Sequence, residues 1–289
     1  MKNARTSNRH RRHRTTAALL GLALVLAACG GEASFPEGSF SVVANTDIGT
    51  GQSRLQIGII GPEGERLGSP DEPISVEIVP ATSAGEVERY EAEWMWLIED
   101  VVGLYKVEAD ITSTGIWTVS VIPENGPKFE PGQFQVLNPT FAPSVGDLAP
   151  VAPIDTLANK PLADLTTDPE PDEDFYQMTM EQAFSSGKKS VVVFSTPAWC
   201  RSSTCGPTLN IVKDAKAEFP DANYIHVEVY TDINAPGFSP TLEFLAPSLG
   251  PDYWNLPSEP WVFVVDETGV VTARFEGSLT ADDIRESLG

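Results

Sequence analysis

Residues 194–210 read FSTPAWCRSSTCGPTLN and hold two of the three cysteines in the chain, Cys200 and Cys205. Just before them, KSVVVFS (189–195) is a continuous apolar run, the pattern of a strand buried on both faces. Just after, CGPTLNIVKDAKAEF (205–219) sets Leu209, Val212, Ala215 and Phe219 at helical spacing. The pair therefore falls between a buried strand and a helix. Residues five apart in a regular helix have Cα atoms about 8.7 Å apart, whereas a disulfide needs less than about 7 Å. Both cysteines cannot sit in one straight helix and be bonded. Proline favours the first helical position, so a helix opening at Pro207 leaves Cys205 just before it and Cys200 in the preceding loop. A bend through RSST (201–204) then brings the sulfurs together.

Where the chain resides decides whether such a bond persists. Residues 1–28 carry six of the 19 Lys and Arg and no Asp or Glu, so the net charge of −22 understates the acidity of residues 29–289. An acidic body repels phosphate backbones, which argues against nucleic-acid binding. KNARTSNRHRRHR (2–14) is a basic leader, and AALLGLALVLAA (17–28) is an apolar run of twelve residues. Twelve helical residues span about 18 Å, short of the roughly 30 Å hydrocarbon core, so residues 1–28 read as a signal peptide. Leu26-Ala27-Ala28-Cys29 resembles the lipobox of bacterial lipoproteins. That resemblance implies cleavage before Cys29, acyl chains such as palmitate on the new N-terminus, and a location in the cell envelope on the extracytoplasmic side of a membrane. Ordinary secretion with a chance cysteine is the alternative. With Cys29 lipidated, an even pair remains in a compartment where disulfides persist.

Residues 29–38 read as a lipidated tether. From residue 39 to 137 short strand-like segments alternate with turn signals: SFSVVA, RLQIGII, ISVEIV, RYEAEWMWLI, GLYKVEA, GIWTVSVI and QFQVL. Seven strands in about 100 residues predict an all-β sandwich, with Trp94, Trp96 and Trp117 in its core. The segment GLYKVEADITSTGIWTVSVI resembles an Ig-like accessory domain of bacterial envelope proteins. Residues 138–173 are rich in Pro and Asp and read as a linker. Within it, SVGDLAP resembles the entry segment of periplasmic thioredoxins and peroxiredoxins. Residues 174–289 alternate helix and strand: a helix in YQMTMEQAFSSG, the strand and helix around the cysteines, the strand NYIHVEVY, an insert at 231–259 with one helix near SPTLEFLA, then WVFVVDETG, VVTARFEG and a last helix.

That order resembles the thioredoxin-like superfamily over residues 175–289. The resemblance rests on PAWC and CGP at a strand-to-helix turn, on SEPWVFVVDETGVVTARFEG with Pro260 at the place of the family's cis-proline, and on FEGSLTADDIRESL. It implies an α/β fold, a mixed central sheet with helices on both faces. The family motif is split here: Trp199-Cys200 matches its first half, and Cys205-Gly206-Pro207 repeats Cys-Gly-Pro with RSST inserted. The resemblance implies Cys200 as attacking thiol and Cys205 as resolving thiol, with the reverse assignment open. A thiolate at a helix N-terminus is favoured by the dipole, and Arg201 adds a positive neighbour. The Pro260 backbone is implied to pair with an extended substrate. The family's buried acid falls at Val193, which leaves proton transfer slower, or to Asp232 or water.

The expected activity is thiol–disulfide exchange on extracytoplasmic proteins with an electron donor or acceptor as second partner, without a cofactor. Four alternatives stay open: a permanent staple in a non-catalytic lipoprotein whose sandwich binds a partner, a peroxiredoxin-like peroxidase, a copper(I) protein held by the two thiolates, and a degenerate scaffold. The peroxidase match is partial, because Ser202 lies three before Cys205 but the proline falls at 197. His226, the one histidine beyond the leader, reads as a packed or surface residue, and no four-ligand zinc set is present in the sequence.

Overall fold

The computed structural model describes residues 34–82 and 87–289. The expected signal peptide, Cys29 and the start of the expected tether lie outside these residues. Period-two segments build the first sheet from β1 (Phe40–Val43), β2 (Ile48–Gly49), β3 (Gly51–Ile60), β4 (Arg66–Leu67), β5 (Ile74–Pro80), β6 (Glu88–Ile98), β7 (Val102–Ile111), β8 (Gly115–Pro123) and β9 (Gly132–Leu137). All seven segments read as strands form strands, and two-residue β2 and β4 add to them. Alternate residues point inward, so Leu55, Ile57 and Ile59 of β3 meet Ile74, Val76 and Ile78 of β5 and Val107 of β7 in one core.

The expected Ig-like sandwich of two separate sheets is corrected to one curled sheet of order β1-β3-β7-β6-β5-β8-β9-β2, with β4 on β3. The reason lies in β6. Its first half, Glu88–Ala92, pairs with β5, and its second half, from Glu93, pairs with β7. One long strand thus joins what two sandwich layers would separate. The sheet is mixed, because β2 and β9 run parallel.

The second sheet is built from β10 (Ser190–Ser195), β11 (Asn223–Glu228), β12 (Trp261–Val265) and β13 (Val271–Glu276), in the order β11-β10-β12-β13. Three helices accompany it: α1 (Met180–Phe184), α2 (Cys205–Glu218) and α3 (Ala281–Leu288). The expected thioredoxin-like α/β fold with helices on both faces is corrected as well. The described chain is mostly β, and only one face of this sheet carries long helices. There Leu209 and Val212 of α2 and Ile284 of α3 pack on Val191, Val193, Val262 and Val264. The other face is covered by the single short helix α1, through Met180 and Ala183, and by irregular chain, with Ala142, Ala149, Ala152, Leu249 and Trp254 against Val192, Phe194, Phe263 and Val265.

Local chemistry accounts for the missing helices. In α1 the N-terminus is set by a capping box of Thr179 and Gln182. Its end is set by Ser185 and Ser186, whose hydroxyls take the carbonyls of Glu181 and Ala183. Five residues of helix remain from the longer run. In the insert, Leu242–Phe244 is a single 3-10 turn in place of the expected helix. Pro247 disfavours helical geometry at Ala246 just before it.

The described residues belong to one compact unit. Gly146 and Ala149, within SVGDLAP, donate to Val271 O and Gly269 O at 2.9 Å each, which fastens that segment beside β13. Outward residues of β3 and β7 meet α3 and β13. Arg54 binds Asp283 at 2.8 Å and Lys106 binds it at 3.2 Å, while Gln56 donates its amide to Glu276 O. Asp47 binds Arg274 at 2.7 Å and accepts from the N–H groups of Phe141 and Ala142. Among the described residues no helix is long and apolar enough to cross a membrane.

Candidate functional site

β10 ends at Ser195, and two turns carry the chain to α2. Trp199 N–H donates to Thr196 O at 3.2 Å, and Ser203 N–H donates to Cys200 O at 3.3 Å. Ser203 adopts φ +62°, a left-handed geometry uncommon outside glycine and asparagine. It reverses the chain so that Cys200 returns to the start of α2. Cys200 and Cys205 form a disulfide with their Cα atoms 5.9 Å apart, inside the range such a bond spans. The bend expected through 201–204 is therefore present.

α2 opens at Cys205, two residues before the expected Pro207. Proline in third place removes no helical hydrogen bond, because the first four N–H groups of a helix have no partner within it. Thr204 supplies no side-chain cap. Cys205 N–H instead donates to Cys200 Sγ at 3.2 Å, and Ser202 Oγ lies 3.3 Å from the same sulfur. A sulfur thus occupies the position of a capping oxygen. The two cysteines differ in access: Cys205 is 0 % exposed, and Cys200 is half-buried.

One carboxyl lies behind the disulfide, and a second acts on the first. Glu259 Oε2 is 3.9 Å from Cys205 Sγ. Burial and then the charge of Glu228 push the Glu259 carboxyl up to about 7, with Arg201 pulling the other way. Glu228, at the end of β11, is also pushed up to about 7 by burial. It accepts from Thr167 N–H at 2.8 Å and from Thr167 Oγ1 at 2.9 Å, and its other oxygen is buried without a protein partner. Neither acid was expected at the site. Glu259 is adjacent to Pro260, and Glu228 interrupts an apolar run; those are the signals the sequence carries.

Of the other expected residues, Val193 is apolar and fully buried, in register with His226 and Val262. Asp232 is exposed and lies 3.6 Å from Lys160 Nζ. Arg201 is exposed and Gly206 half-buried. Pro260 follows a cis bond to Glu259, and its carbonyl accepts from Gly277 N–H at 2.8 Å. Trp199 packs on Phe238 at 4.6 Å and on Tyr230 at 6.3 Å, so the insert builds an aromatic wall beside Cys200. His226 is buried. Its Nδ1 accepts from Tyr176 O–H at 2.6 Å, its Nε2 faces Ser195 at 2.8 and 3.1 Å, and burial lowers it to about 4. It is a neutral packed histidine. Trp117 lies in the core of the first sheet, and Trp94 meets Trp96 and Tyr105 edge-on.

Among the described residues no three His, Cys, Asp or Glu side chains converge as a metal cage. Searches for a matching family model, curated protein or solved structure find none.

Proposed function

We propose that the Cys200–Cys205 pair performs thiol–disulfide exchange on proteins outside the cytoplasm, in a chain tethered to a membrane through lipidated Cys29. The observation that carries this reading is the asymmetry of the pair. One sulfur is reachable at a helix N-terminus, and its partner is fully buried beside a carboxyl.

In the oxidising direction a client thiolate attacks Cys200 Sγ. The client–Cys200 bond forms, the Cys200–Cys205 bond breaks, and the electron pair leaves on Cys205. Glu259, protonated in part at pH 7, gives its proton to that thiolate. A second client thiolate then attacks the client sulfur of the mixed disulfide. Cys200 departs as a thiolate that receives the Cys205 N–H and the dipole of α2. The client loses two electrons and the pair gains them. The reverse sequence reduces a client disulfide, and exchange with a second thiol–disulfide couple resets the pair.

Two variants test the reading. Cys205→Ser accumulates mixed disulfides through Cys200, separable on non-reducing gels, and Cys200→Ser accumulates none. In the intact protein a reduction potential between about −120 and −270 mV is expected, the range of exchange proteins. A potential below about −300 mV marks an inert structural bond and ends the proposal.

A further inference from the structure

A groove of about 300 Å3 runs between the two sheets and ends at the loops that hold the cysteines. Its first-sheet wall is Val42, Gly58, Leu67, Leu97 and Leu104, and its second-sheet wall includes Ser202, Thr204 and Glu259. Its size is at the lower end of ligand sites, roughly 300–1,000 Å3. The larger cleft between the sheets, about 510 Å3, holds Asp47, Arg54, Arg274 and Glu276, and those charges already engage partners.

Most polar groups along the smaller groove are likewise taken; the exceptions are Arg66, exposed at its rim, and Ser278 Oγ, buried without a protein partner. Glu276 accepts from Thr46 N–H and Ser258 O–H, and Gln56 donates to Glu276 O and Ser278 O. What the first-sheet wall offers an occupant is therefore mainly apolar contact, from Val42, Leu67, Leu97 and Leu104. Strand β1 supports this, because its alternation is inverted. Ser41 is buried while Val42 is 39 % exposed and Phe40 48 % exposed, against the usual order of burial. Gly58 keeps the floor low: a Cβ there would meet Val42 and Leu104 at 3.2 Å.

We infer that this groove receives the flank of the client. The occupant is an extended protein segment with a Leu- or Phe-sized side chain close to its reacting cysteine, which seats against Val42 and Leu104 while the client sulfur meets Cys200. Continuity with the disulfide selects a thiol-bearing occupant, and the apolar wall selects its neighbour. The inference rests on the exchange reading above and assigns the first sheet the role of choosing clients.

The test uses the oxidised protein and three thiols: a Cys peptide flanked by Leu, the same peptide flanked by Ser, and glutathione. Mixed-disulfide formation is followed by mass spectrometry. The Leu peptide is expected to react on the order of tenfold faster than the Ser peptide, the effect of partly burying one large apolar side chain. Val42→Glu and, separately, Leu104→Ser bring that ratio near one and leave the glutathione rate unchanged. Equal peptide rates in the native protein, or a ratio that survives both substitutions, overturn the docking proposal alone if glutathione still reacts. A disulfide inert to all three thiols overturns the exchange reading and this one with it.

Discussion

Strand β7 of the first sheet alternates buried and partly exposed residues along its length, whereas β10, β11 and β12 of the second sheet are buried at every residue. Along β7 the polar side chains turn outward. Along β10, β11 and β12 they have no outward direction, and Ser190, Ser195, Asn223, His226 and Glu228 lie inside with the apolar core. Each is held by named partners. Asn223, for example, donates to Ala183 O, Ser186 Oγ and Ser190 Oγ. Even β11, an edge strand, is covered, by the chain around Thr166, Thr167 and Tyr176. Strands β10, β11 and β12, buried at every residue, hold Glu228 away from water, while edge strand β13 is mostly part-exposed; Glu259, just before β12, lies beside the disulfide. The first sheet, half open, contributes a wall.

Truncation in the second sheet sharpens this contrast most. Phe263 is fully buried among Trp254, Trp261 and Phe194. Phe263→Ala is expected to lower stability by about 3–5 kcal/mol in urea unfolding, while Phe40→Ala on the open face of β1 changes it by less than about 0.5 kcal/mol. Comparable losses at the two positions would break the distinction.

The next effect is at the join. Asp283 is pulled in two directions: burial opposes its charge, and Arg54, the Thr280 N–H and Lys106 outweigh burial and hold its carboxyl below the usual range. Asp283→Ala leaves the Arg54 guanidinium, 8 % exposed, without its carboxylate, at a cost of about 3 kcal/mol. The carboxyl is depressed in the folded state, so the stability it contributes is present above the ordinary Asp range and is lost as pH falls through the folded value. The difference between native protein and variant therefore shrinks in acid, read from urea midpoints at pH 7 and pH 3.

An effect of similar size, spread over several pH units, tests the buried acids. Glu228 titrates near 7 in the folded chain and near 4.5 when unfolded. Its protonated form supports the fold below about pH 4.5, and that support is lost as pH rises through 7. Glu228→Gln keeps an acceptor for Thr167 and removes the ionisation. The variant is expected to gain about 3 kcal/mol on the native protein between pH 4.5 and 8. His226 works in the opposite sense, since its folded value near 4 makes stability fall as pH drops below 6.5. The native-minus-variant difference isolates Glu228. A difference that stays flat with pH would mean that Glu228 is charged in the fold and that the second sheet does not exclude water there.

Much of the local structure was legible in the chain. Alternation located the seven main strands of the first sheet, and the apolar run at 189–195 located β10. The distance argument required a bend between the cysteines, and the bend is there. Three things were not legible. Period two states that Arg54, Gln56 and Lys106 face outward, but not that α3 and β13 lie outside them. The long run of β6 does not announce that it changes partner at Glu93. Glu259 beside the disulfide, and Glu228 acting on it, arrive from a loop and a strand distant in sequence, so no spacing rule finds them.

The amino-acid sequence by itself determined which segments extend, where α2 begins to within two residues, and that a bond between the two cysteines needs a bend, because those outcomes follow from side-chain period and chain geometry over a few residues. Only the tertiary structure decided that one face of the second sheet is covered largely by irregular chain, that Cys205 is sealed while Cys200 is reachable, and that Glu259 sits behind them. Those outcomes depend on which distant surfaces exclude water from one another, and exclusion of water belongs to the assembled chain and to no segment of it.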